Sequence, residues 1–403
     1  MKIVKKVIAI TTGEYPTQGV FTLIKYLALS LNTNSNFRKR YKLEIFVFYE
    51  CFFMKFKKII YNFFLIVKNF FFNQNNRIHK LSYSSKEFIK ECYNFKNQII
   101  TFSNPKEYNL SKPSLIFPLL SSLKNKKCKT IGYIYDLQHK DLPNLFHKKE
   151  RQLRNKQFSD TIKKNDKILV NSKFVQKGVI KNFNISKNKI ITIPFYPFVT
   201  DEVKNLHANV RKKYAINKDY FIVCNRFWKH KNHGIILEAF SKFSKHNQNY
   251  QLVCTGDKTD SRYPNYYKEL LKNYLVLINK KKIKILGVIP REDQLNLLSN
   301  SKAVIQPTLY EGGPGGFSSY EAIACQKNLI LSNIPINKEI NYKKALFFNP
   351  RSSKDLLLKL NLIVAKKKLK ENKKKIMKFS NSNRKKLGKL LFKFIDQALN
   401  DKA

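Results

Sequence analysis

Apolar residues along this chain fall into short runs separated by stretches of helical spacing, and the pattern passes through two cycles. Lys2 to Ile10 reads as a buried strand and Thr11 to Gly19 as a turn. Val20 to Leu31 carries its apolar positions at helical spacing, so the chain opens as strand, loop and helix. Strand-like runs recur at Leu43 to Glu50, Gln98 to Phe102, Ser114 to Phe117, Thr130 to Tyr135, Lys167 to Val170 and Ile190 to Ile193, with polar or helical segments between them. Such alternation predicts a parallel sheet covered by helices. Around Pro194, Pro197 and Phe198 the pattern stops, and the polar segment Thr200 to Lys218 marks a domain junction.

A second series then begins. Strands are expected at Phe221 to Cys224, Gln251 to Thr255, Ile283 to Leu286, Ala303 to Gln306, Asn328 to Ser332 and Ala345 to Phe348. Helices are expected at Asn232 to Lys245, Tyr266 to Ile278, Arg291 to Asn300 and Ser318 to Cys325. The expected architecture is α/β, with two Rossmann-like doubly wound domains (residues 1–199 and 200–365) facing across a cleft. Residues 366–403 form a basic helical segment, where Leu387, Leu390, Leu391, Phe394, Ile395 and Ala398 make a stripe that packs back on a domain.

Composition sets limits on function. A length of 403 residues suits two cores, and 43% hydrophobic with 13% aromatic residues is globular. Lys plus Arg number 78 against 27 Asp plus Glu, a net charge of +51 that attracts polyanions: nucleic acid, anionic lipid or acidic glycan. Lysine, asparagine, isoleucine and phenylalanine are enriched together, so a coding bias accounts for much of this charge. Arginine, the residue that reads bases and phosphates bidentately, is the minority cation, which argues against specific nucleic-acid recognition. Six cysteines without a C-x-x-C pair read as reduced thiols of a cytoplasmic protein. The N-terminus reads as a first strand, since Lys5 and Lys6 break its apolar run and no small-residue cleavage site follows. Cys51 to Phe72 interleaves phenylalanine and isoleucine with lysine and is too short in its apolar run to cross a bilayer. It suits either a helix at an anionic membrane surface or one packed on its own sheet.

Several residues could carry chemistry. Gly13 and Gly19 in the first loop either bring the backbone and a helix start near a phosphate or sugar, or form a plain turn and cap. In NRFWKHKNH (Asn225 to His233), Arg226 and Lys231 lie in a strand-to-helix loop. They converge on a diphosphate, or are solvated cations in a basic chain. Downstream, Ala303 to Ile340 combines a strand, the glycines Gly312, Gly313, Gly315 and Gly316, and the carboxylates Glu311 and Glu321. A helix-borne Glu321 can accept two hydrogen bonds from a ribose diol, and Glu311 can hold sugar hydroxyls or stabilise positive charge near a reacting carbon. His230 and His233 lack a third ligand, so no metal site is expected there. No H-E-x-x-H, P-loop or nucleophile elbow occurs.

The array of Arg226 and Lys231 in a strand-helix loop, then Y-E-G-G, E-A-I-A-C and S-N-I-P-x-N-K-E-I, resembles the donor domain of the family 4 glycosyltransferases. The likeness is specific over Asn225 to Ile340. It implies the GT-B arrangement of two Rossmann-like domains and transfer of a sugar from a nucleotide-diphosphate sugar, with retention of configuration and no essential metal or other cofactor. By the resemblance, Arg226 and Lys231 contact the donor pyrophosphate and Glu321 the ribose. Glu311, with the backbone of Gly315, Gly316, Phe317 and Ser318, surrounds the donor sugar. The spacing from Glu311 to Glu321 is two residues longer than the family's usual one, so the loop is enlarged and the position of Glu311 is open. YDLQHKDLPNLF (Tyr135 to Phe146) also resembles a segment of these enzymes, which implies that Asp136 and His139 lie in the cleft opposite the donor.

The expected function is therefore a hexosyltransferase acting on a hydroxyl of a glycan or lipid-linked acceptor in cell-envelope polysaccharide synthesis. Its expected location is the cytoplasm, peripheral on the inner face of the membrane through Cys51 to Phe72. A sugar-nucleotide epimerase or phosphorylase of the same fold, and a nucleic-acid-binding protein, are the alternatives.

Overall fold

A computed structural model of the protein describes residues 5–13, 18–48, 98–102, 112–120, 123, 127–194, 196–199, 209–366 and 372–400. The expected membrane-surface segment, Cys51 to Phe72, lies outside the described residues.

Among the described residues the chain builds two parallel sheets. In the first, strands β1 (Lys6–Thr11), β2 (Tyr41–Phe48), β3 (Ile99–Phe102), β4 (Leu115–Leu119), β5 (Lys129–Tyr133), β6 (Lys167–Val170) and β7 (Ile190–Thr192) lie in the order β3-β2-β1-β4-β5-β6-β7. In the second, β8 (Asp219–Cys224), β9 (Tyr250–Thr255), β10 (Ile283–Gly287), β11 (Ala303–Gln306), β12 (Asn328–Ser332) and β13 (Ala345–Phe348) lie in the order β10-β9-β8-β11-β12-β13. Both orders reverse direction once, beside the first strand of each domain, which is the doubly wound arrangement expected. Every residue of β11 and β12 is buried, because helices cover both faces of the sheet and no polar alternation is called for.

The helices used below are α1 (Gln18–Leu31), α2 (Lys148–Lys164), α3 (Lys173–Phe183), α4 (His233–His246), α5 (Arg291–Asn300), α6 (Gly316–Ala324), α7 (Ser353–Val364) and α8 (Lys373–Asn400). The segment Tyr266 to Ile278, expected as one helix, is instead two, Tyr266–Leu271 and Leu275–Asn279, joined by a 3-10 turn at Lys272–Tyr274. Tyr274 leaves the helical region at φ −122°, a one-residue departure that apolar periodicity does not register.

Helix α8 ties the halves together. Its first turns pack on the C-terminal domain through Ile376, while Leu387, Leu391, Ile395 and Ala398 enter the core that α1 and β1 build in the N-terminal domain. Each large aliphatic side chain so buried contributes roughly 1.5–3 kcal/mol, which outweighs the cost of the serine, asparagine and glycine residues inside the helix. Between these two contacts, the Ser380 hydroxyl accepts from the Val199 N–H (3.2 Å), and the Asn383 amide donates to the Pro197 carbonyl (2.7 Å). The tail thus clamps the interdomain linker as well as the core it was expected to reach.

Candidate active site

In a doubly wound sheet the loops at the carboxyl ends of the strands part where the strand order reverses, leaving a crevice for a ligand. In the C-terminal domain that point lies between β8 and β11, and the loops leaving it are Asn225–Asn232 and Pro307–Gly315. The two are bonded directly: the Leu309 N–H donates to the His230 carbonyl (2.8 Å), and Asn232 donates to the carbonyls of Pro307 (3.1 Å) and Pro350 (2.9 Å). Their side chains meet as Lys231 and Glu311, whose Nζ and Oε1 are 2.5 Å apart in a largely buried pair. Glu311 thus sits beside Lys231, and its carboxylate lies near the first turn of α6, where the partial positive charge of the helix start favours it.

Gly315 and Gly316 make that placement possible. Both have positive φ (67° and 66°), which residues with a Cβ adopt only under strain. The loop is held from two sides: the Gly315 N–H donates to Asn337 Oδ1 (2.8 Å), and the Gly315 carbonyl accepts from Gln306 Nε2 (2.8 Å). Gln306 also donates to the Ser318 hydroxyl (2.6 Å), so the Ser318 side chain supports the loop. The Phe317 ring packs against the N-terminal core, edge-on to Tyr26 at 5.8 Å. Only its backbone, at the start of α6, remains for the role the sequence suggested.

Glu321 is fully buried on α6. One oxygen, Oε1, accepts a hydrogen bond from the Arg291 guanidinium at the start of α5, and the other, Oε2, is buried without a protein partner. An acceptor so placed costs about 1–3 kcal/mol when nothing bonds it, and a ligand hydroxyl would satisfy it. Arg291 was missed because only the fold brings it to Glu321. Arg226 lies over the Trp228 ring at 5.5 Å, and Arg262 stacks between that ring (5.4 Å) and Phe146 of the N-terminal domain (4.2 Å). His230 and His233 are buried, and desolvation, then the Lys231 charge, lowers both pKa values, His233 to about 3. Both rings are neutral core residues. No group of three or more His, Cys, Asp or Glu able to hold a metal ion is found among the described residues.

Across the interface, Tyr135 to Leu137 lies against the Tyr310–Gly312 turn. The Leu137 N–H donates to the Tyr310 hydroxyl (2.9 Å), and a Cβ on Gly312 would stand 2.0 Å from the Tyr135 carbonyl oxygen. Asp136 pairs with Arg154 rather than standing free. His139 is buried, its Nε2 2.9 Å from Asn155 Oδ1 and its Nδ1 unpartnered, and desolvation lowers its pKa. Gly19 sits exposed in the first turn of α1, while Gly13, with φ 71°, follows β1. Glu339 crosses the interface: its carboxylate accepts from the N–H groups of Lys173 (3.0 Å) and Phe174 (2.7 Å) at the start of α3. Ile334 and Ile336 beside it are buried in the N-terminal domain's core. S-N-I-P-x-N-K-E-I thus serves the contact between domains, with Asn337 turned back to the glycine loop.

The fold and this crevice define a GT-B architecture with a two-carboxylate site in its C-terminal domain. Residues 207–382 match the family model described as glycosyl transferases group 1. A curated relative, the O-antigen chain mannosyltransferase RfbU of Salmonella typhimurium, is 28% identical over 195 residues, 48% of this chain and 50% of the relative. The match thus spans about half the length of that relative. Among solved structures, a glycosyltransferase from Rickettsia africae superposes with a TM-score of 0.64 at 15% identity, covering 99% of this chain and 100% of that one. Anabaena Alr3699/HepE in complex with UDP and glucose gives 0.60 at 13% identity, over 98% and 99%. An E. coli structure bound with UDP-2-fluoro glucose gives 0.62 at 10% identity, over 98% and 100%. At these identities the likeness concerns the fold.

Proposed function

We propose that the protein is a retaining hexosyltransferase that moves a sugar from a nucleotide-diphosphate sugar to a hydroxyl of a glycan or lipid-linked acceptor. The observation that carries this reading is Glu321, whose buried, unpartnered Oε2 lies on the helix that follows the Lys231–Glu311 pair, inside the stretch that matches the family model. The Glu321 carboxylate takes a ribose hydroxyl. Lys231, released from Glu311 by the incoming diphosphate, and Arg226 neutralise the departing phosphate, and the first turn of α6 adds its partial charge. Glu311 is then free to hold the donor sugar. Neutral His139, on the opposing domain, accepts a sugar hydroxyl rather than carrying positive charge. Catalysis is electrostatic and positional, and no step assigns a cofactor.

The name of the Salmonella relative supports a place in envelope polysaccharide synthesis, and the surplus of lysine supports contact with an anionic membrane face. No helix among the described residues is long and apolar enough to cross a membrane. The test is release of nucleotide from a panel of nucleotide sugars, with and without acceptor glycans. Glu321→Ala should abolish release that depends on acceptor. Equal turnover by wild type and variant would sink the assignment, and conversion of donor without acceptor would indicate an epimerase instead. Anionic liposomes at low salt test the membrane contact, which fails if the protein does not co-sediment.

A further inference from the structure

A cavity of about 350 Å³ opens in the N-terminal domain beside the interdomain contact. Its walls are His139 and Lys140 of a short helix (Gln138–Asp141), Pro143, and Lys148, Arg151, Gln152 and Asn155 along α2. Three of these carry positive charge and none carries negative charge. The acids nearest in sequence, Asp136, Asp141 and Glu150, are not among the lining residues, and Asp136 is committed to Arg154. Two lining residues hold buried polar atoms without partners, His139 Nδ1 and Arg151 Nε. His139 is 1% exposed, so its ring forms wall rather than a contact point. With Asn155 Oδ1 facing Nε2, the ring proton belongs to Nε2 and the imidazole is neutral, so it adds no charge to the cavity. The cavity adjoins the other domain. The carbonyls of Asn144 and Leu145, just past Pro143, accept from Tyr263 (3.1 Å) and Arg262 (3.3 Å) of the C-terminal domain.

From this geometry we infer that the cavity is a subsite for an anionic group, a phosphate or carboxylate, carried by the sugar acceptor. Lys140, Lys148 and Arg151 hold the anion through charge-assisted hydrogen bonds. The volume lies in the range of small-ligand sites and accommodates one sugar unit with its anion. The acceptor role rests on the transfer reading, whereas binding of the anion does not.

The net charge of +51 attracts any anion, so the experiment separates the built site from the background. Binding of inorganic phosphate, glucose 6-phosphate and glucuronate to the full chain is measured by calorimetry at about 0.15 M salt, where long-range attraction is screened beyond about 8 Å. The variant Lys148→Gln/Arg151→Gln is compared with Lys245→Gln/Lys268→Gln, an equal change of charge at exposed positions of the other domain. The cavity pair should lose at least about tenfold in affinity and the control pair less than about twofold, as expected for direct charge-assisted bonds. Equal loss in both pairs, or no loss in the cavity pair, overturns the inference. Vesicles containing phosphatidylglycerol identify the source. Vesicle binding lost together with phosphate binding assigns the anion to a lipid-borne acceptor, and loss of soluble ligands alone assigns it to the sugar. Thermal stabilisation by nucleoside diphosphates, read on the same proteins, should be unaltered by the cavity pair. If no nucleotide stabilises even the wild type, the transfer reading fails while the anion site stands or falls on its own measurement.

Discussion

Replacing Arg291 by methionine would leave the Glu321 carboxylate buried with neither oxygen bonded, because Arg291 is the partner of Oε1 and Oε2 has none. Removing one member of a buried ion pair costs about 3–5 kcal/mol, chiefly the uncompensated charge. The Arg291 side chain is 23% exposed, so water reaches the vacated side and the cost falls near the lower end, about 3 kcal/mol. For a unit of this size that is a fall in Tm of about 6–12 °C. Glu321→Gln keeps the volume and removes the charge. The double variant should therefore be more stable than the two single losses predict by about 2 kcal/mol, as expected of groups in contact. Unfolding of the four proteins by urea measures this coupling, and additivity within about 0.5 kcal/mol would refute the pairing. Donor binding adds a second readout. If Oε2 takes a ribose hydroxyl, wild type should bind a ribonucleoside diphosphate roughly 10–150-fold better than its 2′,3′-dideoxy analogue, and Glu321→Gln should erase most of that preference. A variant that discriminates as well as the wild type assigns the ribose to another residue.

Gly312→Ala places a methyl group against the Tyr135 carbonyl and should push the two domains apart at the Tyr310–Leu137 contact, lowering kcat/KM by more than tenfold while nucleotide affinity stays within about twofold. Parallel loss of both contradicts the assignment of Gly312 to the interdomain contact. Glu339→Gln weakens the cap on α3 by about 0.5–1 kcal/mol, which hydrogen exchange reads as faster exchange at the Lys173 and Phe174 amides. Protection unaltered there speaks against the cap. The pKa values of His139, His230 and His233 are all lowered, first by desolvation. Their unfolded forms take up protons near pH 6.5 and the folded forms do not, so stability present above that pH is lost as pH falls toward the folded values, about 3 for His233. For His233, whose folded value is about 3, the loss approaches about 1.4 kcal/mol per pH unit between pH 6 and 5. His233→Phe should flatten the slope of urea stability between pH 6 and 5 by one proton's worth, and an unchanged slope refutes the assignment.

Most strands were legible because a strand covered on both faces leaves a continuous apolar run. Ala303–Gln306, Asn328–Ser332 and Ala345–Phe348 fall where the sequence puts them. The candidate site residues were picked out for a different reason. Glu311 and Lys231 stand in loops, and Glu321 on the helix that follows, where glycines and strand ends can be read locally, but their partners cannot. Arg291 reaches Glu321, Glu339 reaches α3 and Arg262 reaches Phe146 across sequence separations that no periodicity spans. The packing of the Phe317 ring on the other domain is hidden for the same cause.

The enlarged glycine loop has a physical use that follows from these partners. Its start, Gly312, touches Tyr135, and its end, Phe317, touches Tyr26, so both ends rest on the N-terminal domain while Glu311 pairs with Lys231 of its own domain. A donor that draws Lys231 from Glu311 moves the base of a loop whose two ends bear on the opposing domain. Close packing makes such contacts stiff, and a shift at Glu311 is passed to Tyr135 and, two residues on, to the Leu137 amide. Leu137 leads directly into Gln138 and His139, the wall of the basic cavity. On the proposed reading, the donor and acceptor sides are therefore joined by a short run of packed backbone that starts at the Lys231–Glu311 pair.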